Sequence, residues 1–189
     1  DTFAVISNME TNDKIGTGHN DMRPKASILD PSYTCSVSAY QTAAGTADIM
    51  SHIFECYFSN VQGYMQDRMA EGLLKTCIEF GVRAVNNPDD YEARANLMWT
   101  SSWAINNFIK LGKTVEWTVH PMEHQLSAYY DITHGVGLAI LTPHWMKYVL
   151  NDETMDKFKT YGVNVWGIDK DKDPFEIAHE AIEKTRDYF

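Results

Sequence analysis

Apolar residues recur every three to four positions along most of this chain, the period of amphipathic helices rather than of strands. The pattern predicts helices near 37–44, 46–58, 62–85, 90–109, 118–129, 135–149, 152–162 and 174–188. The last has the clearest start, because Asp173 suits a cap and Pro174 stands where a missing N–H costs nothing. Glu116-Trp117 and Asn151-Asp152 read as starts of the helices that follow them. Helix 90–109 carries Leu97, Met98, Trp99, Trp103, Ala104, Ile105, Phe108 and Ile109 on several sides and so reads as a buried central pillar. The N-terminus breaks the pattern. Phe3 to Ser7 is short and partly β-branched, and Ala26-Ser27-Ile28-Leu29 before Asp30-Pro31 is a second extended stretch. A β-pair is expected there, with Met9 to Arg23 as a polar loop. The expected fold is mainly α, with residues 1–31 forming the β-pair and its loop and residues 32–189 forming a helical domain.

Composition changes this picture little. The 189 residues are 44% hydrophobic and 12% aromatic, ordinary for a globular domain with a sizeable core. No run approaches the ~20 uninterrupted apolar residues of a membrane helix, so no membrane association is expected. The formal net charge of -10, with Lys and Arg scattered, argues against a nucleic-acid partner. Cys35, Cys56 and Cys77 form no Cys-x-x-Cys pair and read as inert thiols of a reducing cytoplasm. The first residues lack the basic start and long apolar stretch of a signal peptide, so no secretion address is visible in them.

The histidines are unevenly placed: His19, His52 and His179 stand apart, while His120, His124, His134 and His144 cluster. His120 and His124 are four apart, which on a helix turns them to one face. Asp48 and His52 repeat that spacing, supplying a carboxylate oxygen and an imidazole nitrogen for one cation, so two such pairs facing each other make a metal site. An alternative reading of helix 46–58 is plainer. Its apolar stripe is Met50, Ile53, Phe54 and Tyr57, and Asp48, His52 and Glu55 lie nearly opposite, as on a solvated face. Glu123 likewise reads more readily as a solvated charge than as a base. His134 adds weight to the metal reading, because Thr133-His134-Gly135-Val136-Gly137 sets an imidazole at a helix entry where glycines admit close neighbours.

The run from Val119-His120-Pro121-Met122-Glu123-His124 to Asp131-Ile132-Thr133-His134-Gly135, with Gly45-Thr46-Ala47-Asp48-Ile49-Met50-Ser51-His52-Ile53-Phe54-Glu55, resembles the iron-containing alcohol dehydrogenases, most closely their NADPH-dependent butanol dehydrogenase branch. The resemblance extends over essentially the whole chain. It implies the helical metal-binding domain of the dehydroquinate synthase-like fold. It also implies that Asp48, His52, His120 and His134 are the ligands of one Fe2+, with Zn2+ as the alternative. His124 then becomes a non-ligand beside the nicotinamide and substrate, a catalytic and cofactor-contacting residue able to pass a proton. Geometry alone had paired it with His120.

Family members carry, ahead of this region, a nucleotide-binding α/β domain with a glycine-rich loop. The runs Gly16-Thr17-Gly18 and Gly135-Val136-Gly137 have neither the strand nor the third glycine of such a motif. The sequence therefore reads as the metal half of a dehydrogenase, with residues 1–31 linking to a nucleotide-binding domain that binds most of the NADP(H) or NAD(H), and with no activity expected of this half alone. Ser38-Ala39 stand where a proline is common in the family, a change that touches no ligand.

The activity so implied is hydride transfer between NAD(P) and a primary alcohol or aldehyde, the metal polarising the substrate oxygen. A homodimer of the full-length protein is expected with it. Trp99, Trp103, Phe108, Trp117 and Tyr129 are candidates for an apolar substrate wall, each also readable as core. Two other functions fit the residue types: a metal-dependent helical hydrolase acting on phosphate esters, and a non-catalytic helical interaction domain with chance histidines. The first lacks an adjacent His-Asp pair and a basic cluster beside the ligands.

Overall fold

A computed structural model describes residues 2–115 and 117–189. It is mainly α. Among the described residues seven helices follow a two-stranded hairpin: α1 Ala39–Tyr57, α2 Tyr64–Asn86, α3 Tyr91–Ile105, α4 Val119–Tyr130, α5 His134–Val149, α6 Met155–Trp166 and α7 Pro174–Tyr188.

The hairpin pairs β1 Phe3–Asn8 antiparallel with β2 Asp13–Gly18, in a register that sets Ile6 opposite Ile15. This corrects the expected partner of the first strand. Ala26 to Leu29 pairs with nothing regular, and Ile28 is 96% exposed, while the second strand comes from the segment read as a polar loop. Asp13-Lys14-Ile15-Gly16-Thr17-Gly18 has one large apolar side chain and two glycines, so its strand character comes from main-chain pairing with β1 rather than from burial. Asn12, at φ 54, closes the turn in the left-handed region that Asn tolerates.

The helices expected at 37–44 and 46–58 are one helix, α1, capped by Ser38, whose hydroxyl accepts from the Gln41 N–H at 3.2 Å. The gap between the two expected helices falls on Gly45. One glycine inside a helix costs about 1 kcal/mol, far less than α1 gains by burying Met50, Ile53, Phe54 and Tyr57 almost completely. This makes α1 the pillar of the fold. It packs against α2, α3 and α5, and its apolar stripe joins Leu74, Phe158, Tyr161, Ile177 and Ile182 in the main core.

Helix α3 does not hold the central place its composition suggested. It ends at Ile105, ahead of a 3-10 turn at Phe108–Lys110, and buries mainly Ala93, Arg94, Leu97, Thr100 and Ala104. Trp99 is 58% exposed. A helix apolar all round has no single face to bury, and here the small residues face α2 and α1. The start expected at Glu116-Trp117 falls partly outside the described residues, since Glu116 is not among them; α4 begins after Thr118. Asn151 is a turn residue whose side chain accepts from the Glu153 and Thr154 N–H groups, so α6 starts later than expected, at Met155.

Helix α5 enters directly against α1. A Cβ at Gly135 would fall 2.0 Å from the Ala44 carbonyl oxygen, so only glycine allows this approach, and the approach brings His134 beside Asp48.

Candidate metal centre

The site lies where the middle of α1 meets the starts of α4 and α5. Asp48 and His52 come from successive turns of α1, His120 from the first turn of α4, and His134 is the first residue of α5. Asp48 Oδ1 is the hub, with His52 Nε2 at 3.4 Å, His120 Nε2 at 3.5 Å and His134 Nε2 at 3.7 Å. Asp48 Oδ1 and His120 Nε2 are shut off from water and have no hydrogen-bond partner. Buried polar atoms rarely stay unsatisfied, and converging ones call for a bound water or ion. Donors ~2.1 Å from a tetrahedrally bound ion stand ~3.4 Å apart, close to the three spacings from Asp48; Asp48, His120 and His134 have donor atoms all within 4.8 Å of one another, and His52 joins them through Asp48. The residues present therefore fit a divalent cation.

Asp48, His52 and His120 are shifted in different directions. Burial pulls the Asp48 carboxyl up, but the His120, His52 and His134 imidazoles around it outweigh burial and leave it below the usual carboxylate range. Burial pushes His52 down to about 4 against the attraction of Asp48, so at neutral pH it is an uncharged imidazole with a lone pair to give. For His120 burial is overcome by Asp48 and Glu55, and its value rises to about 9. A cation arriving at neutral pH must displace that proton.

Two carboxylates stand behind these histidines, and sequence reasoning missed both. Glu55, read as part of a solvated face, is buried; its Oε2 lies 2.7 Å from His120 Nδ1, and its Oε1 accepts from the Val119 and His120 N–H groups at 2.9 and 3.2 Å. A carboxylate at those two N–H groups also satisfies the exposed donors at the start of α4, where Thr118 makes no side-chain cap. Glu123, read as a solvated charge, is completely buried, bonded to His134 Nδ1 and to Ser127 Oγ, with Lys14 Nζ 3.8 Å away. The Lys14 ammonium places β2 against the same corner. A signal was available: each glutamate follows a histidine by three on its helix.

His124 is one turn beyond His120 and outside the group converging on Asp48. Its ring centroid is 6.4 Å from that of His120 and 5.4 Å from that of His134. With Glu123 and His134 it forms a second set of potential donor atoms, within 4.8 Å of one another. Burial, Lys14 and His134 hold its imidazole below the ordinary value, so it is neutral at neutral pH and able to accept a proton.

Asp48, His52, His120, His124 and His134 line one cleft of about 710 Å³. The hairpin forms its opposite wall through Phe3, Ala4, Val5 and Gly16, and Ile105, Lys110 and Trp117 close its side. Of the aromatic residues expected to form a wall, only Trp117 lines this cleft, its ring edge-on to His52 at 5.4 Å and to His120 at 5.2 Å. Trp99 and Tyr129 are exposed, and Trp103 packs between Trp99 and Phe108.

Fold and donor set together define a helical domain built around a carboxylate–imidazole cation pocket at the floor of an open cleft. The chain belongs to the Fe-containing alcohol dehydrogenase family, whose C-terminal model matches residues 42–189. It is 68% identical over 190 residues to NADH-dependent butanol dehydrogenase A of Clostridium acetobutylicum, covering all of this chain and 49% of that protein. It is 36% identical to the NADPH-dependent aldehyde reductase YqhD of Escherichia coli, covering 98% of this chain and 48% of the relative. Among solved structures, NADH-dependent butanol dehydrogenase A from Thermotoga maritima superposes with a TM-score of 0.94 at 38% identity, over 100% of this chain and 47% of the other. The chain thus spans about half the length of the relatives it matches.

Proposed function

We propose that the protein carrying this chain is a metal-dependent alcohol dehydrogenase or aldehyde reductase that moves a hydride between a nicotinamide dinucleotide and a primary alcohol or aldehyde. In this reading Asp48, His52, His120 and His134 hold one divalent cation. The observation that carries it is Asp48 Oδ1, unpartnered and faced by three imidazole Nε2 atoms at 3.4 to 3.7 Å. A bound cation supplies a Lewis acid that polarises the substrate oxygen. One carboxylate with three neutral imidazoles leaves a net charge of about +1 around a divalent ion, which suits an oxygen that turns negative during reaction.

This chain's residues do the rest of their work in the cleft. His124, neutral and one turn from His120, accepts or returns the substrate's proton at a ring nitrogen and borders the nicotinamide. Trp117 packs against the two histidines and keeps water from that side. The assignment of iron rests on the family, since carboxylate and imidazole ligands suit zinc equally. Both the phosphorylated and the plain nicotinamide fit this reading, since NADPH is named for the Escherichia coli relative and NADH for the Clostridium acetobutylicum one; the reading assigns most of the dinucleotide contact to a part outside residues 32–189, with 1–31 as the connection. The intact protein is read as a homodimer of the cytoplasm, a setting that suits its free cysteines; burial lifts the Cys56 and Cys77 thiols to about 11 and about 12, so both are inert. Membership of the family removes the support for a helical hydrolase or an interaction domain.

Metal analysis of the anaerobically prepared intact protein tests the reading. One metal per chain is expected, lost in Asp48→Asn and in His134→Ala, while His124→Ala keeps the metal and loses turnover. Full occupancy in the first two variants would refute the ligand set, and loss of metal from the third would make His124 a ligand.

A further inference from the structure

The sequence His-x-x-Glu occurs on two of the helices that build the site, as His52-Ile53-Phe54-Glu55 on α1 and as His120-Pro121-Met122-Glu123 on α4. Three residues turn a helix to ~60° from its starting direction, so each glutamate is offset from the histidine of its own helix. It meets the next helix instead. Glu55 of α1 reaches His120 of α4, and Glu123 of α4 reaches His134 of α5. In both cases the carboxylate meets Nδ1, while Nε2 of the same ring faces Asp48. The matching position on α5, three beyond His134, is Gly137. A Cβ there would stand 2.7 Å from Glu123 Cγ, so the glycine makes the space this carboxylate occupies. His52 differs: its carboxylate contact is to Nε2, from Asp48, and among the described residues no carboxylate pairs with its Nδ1.

We infer that Glu55 and Glu123 are positioning residues, each helix carrying the carboxylate that fixes the tautomer and ring orientation of the next helix's histidine. The inference rests on the proposed metal site. A neutral imidazole has one proton to place on either nitrogen, and a buried carboxylate at Nδ1 keeps it there, leaving the Nε2 lone pair for the cation. The same contact makes Nε2 a better donor. Both carboxylates are anchored away from the ring as well, Glu55 by the Val119 and His120 N–H groups and Glu123 by Ser127, so the rings are held by groups that are themselves held.

Glu123 provides the sharper test, because Glu55 also caps α4 and its removal affects the fold. In the zinc-loaded intact protein, metal affinity is read by competition with a chelator for wild type, Glu123→Gln and Glu123→Ala, alongside the melting of each metal-free form. The amide oxygen of glutamine still accepts the Nδ1 proton, so Gln is expected to weaken zinc by about tenfold and Ala by up to about a hundredfold. Metal-free melting of the Gln variant should be unchanged. The His134 Nδ1 proton should give a slowly exchanging proton resonance in wild type that Glu123→Ala abolishes. Affinity within twofold of wild type in the Ala variant overturns the inference, as does an unchanged Nδ1 resonance or a metal loss that only tracks lost metal-free stability. Wild type without zinc overturns the metal site and the inference with it; wild type with zinc, Asp48→Asn without it and unaffected Glu123 variants overturn the inference alone.

Discussion

Two clusters of buried charge flank α1, and they are built on opposite plans. At its C-terminal end, Asp67 is shared by Lys113 and by Lys157, the latter at 2.7 Å, and Glu71 is bonded by Arg68, by the Tyr57 hydroxyl at 2.8 Å and by Asn164 at 3.1 Å. The Lys157 ammonium also lies 3.9 Å from the centre of the Tyr57 ring. Both carboxylates there have partners supplied by the chain. In the middle of α1, Asp48 faces only imidazoles, and its Oδ1 has no hydrogen bond. One cluster is complete as protein. The other is complete only with something added. Burial of charge alone therefore says little about function, whereas buried donors that converge and remain unsatisfied say a great deal.

Mutation separates the two plans most strongly at the first cluster. Asp67→Ala leaves Lys113 and Lys157 buried together without their anion, and is expected to destabilise the fold by about 3–5 kcal/mol in thermal or denaturant unfolding while the metal-binding stoichiometry survives. Asp48→Asn should lose metal affinity by about a hundredfold or more, while costing the metal-free fold less than Asp67→Ala does, because only the Asp48–His120 pairing is removed. If both variants lost stability equally, the contrast between the clusters would collapse.

Acidity sharpens it further. His120, raised to about 9, must release its proton to a metal, so apparent affinity should fall by up to about tenfold per unit as pH drops below about 9. For the metal-free protein the sign is opposite over that window. A folded-state value above the unfolded ~6.5 gives stability that is whole below ~6.5 and lost as pH rises through about 9. His52, held down at about 4, removes stability as pH falls from ~6.5 toward about 4. Metal-free protein should therefore be most stable near pH 6.5, and metal-loaded protein at higher pH. Melting curves of both forms across pH check this, and the same optimum in both would disprove it.

The smallest effect is expected at Trp117. Its ring touches two histidines edge-on, and its replacement by Ala should keep the metal and raise the KM for an alcohol by severalfold, consistent with an aromatic contact of about 1 kcal/mol.

Much of the helical framework was legible along the chain, because burying one face imposes a period that survives in the sequence. The stripe Met50, Ile53, Phe54, Tyr57 marked α1, and Asp173-Pro174 marked the start of α7. What was misread shares one cause. The helix α1 was split in two at residue 45 because it was weighed without the core it joins, α3 looked central because its apolar residues were counted without knowing their neighbours, and Asp13 to Gly18 looked like loop because a strand held by main-chain pairing needs few apolar side chains. In the site, the four-residue spacing of Asp48 and His52 was visible, and their donor atoms do meet. The equal spacing of His120 and His124 did not mean the same thing.

By itself, then, the sequence determined the helices, the residue types available for a cation and the family to which they point. Tertiary structure decided which of those residues converge. Helical spacing specifies a face of one helix, but Asp48, His120 and His134 lie on three, and their distances follow from how closely α5 can approach α1 at Gly135. The same holds for Glu55 and Glu123, which a local reading sends to solvent and which the packing of neighbouring helices buries against imidazoles.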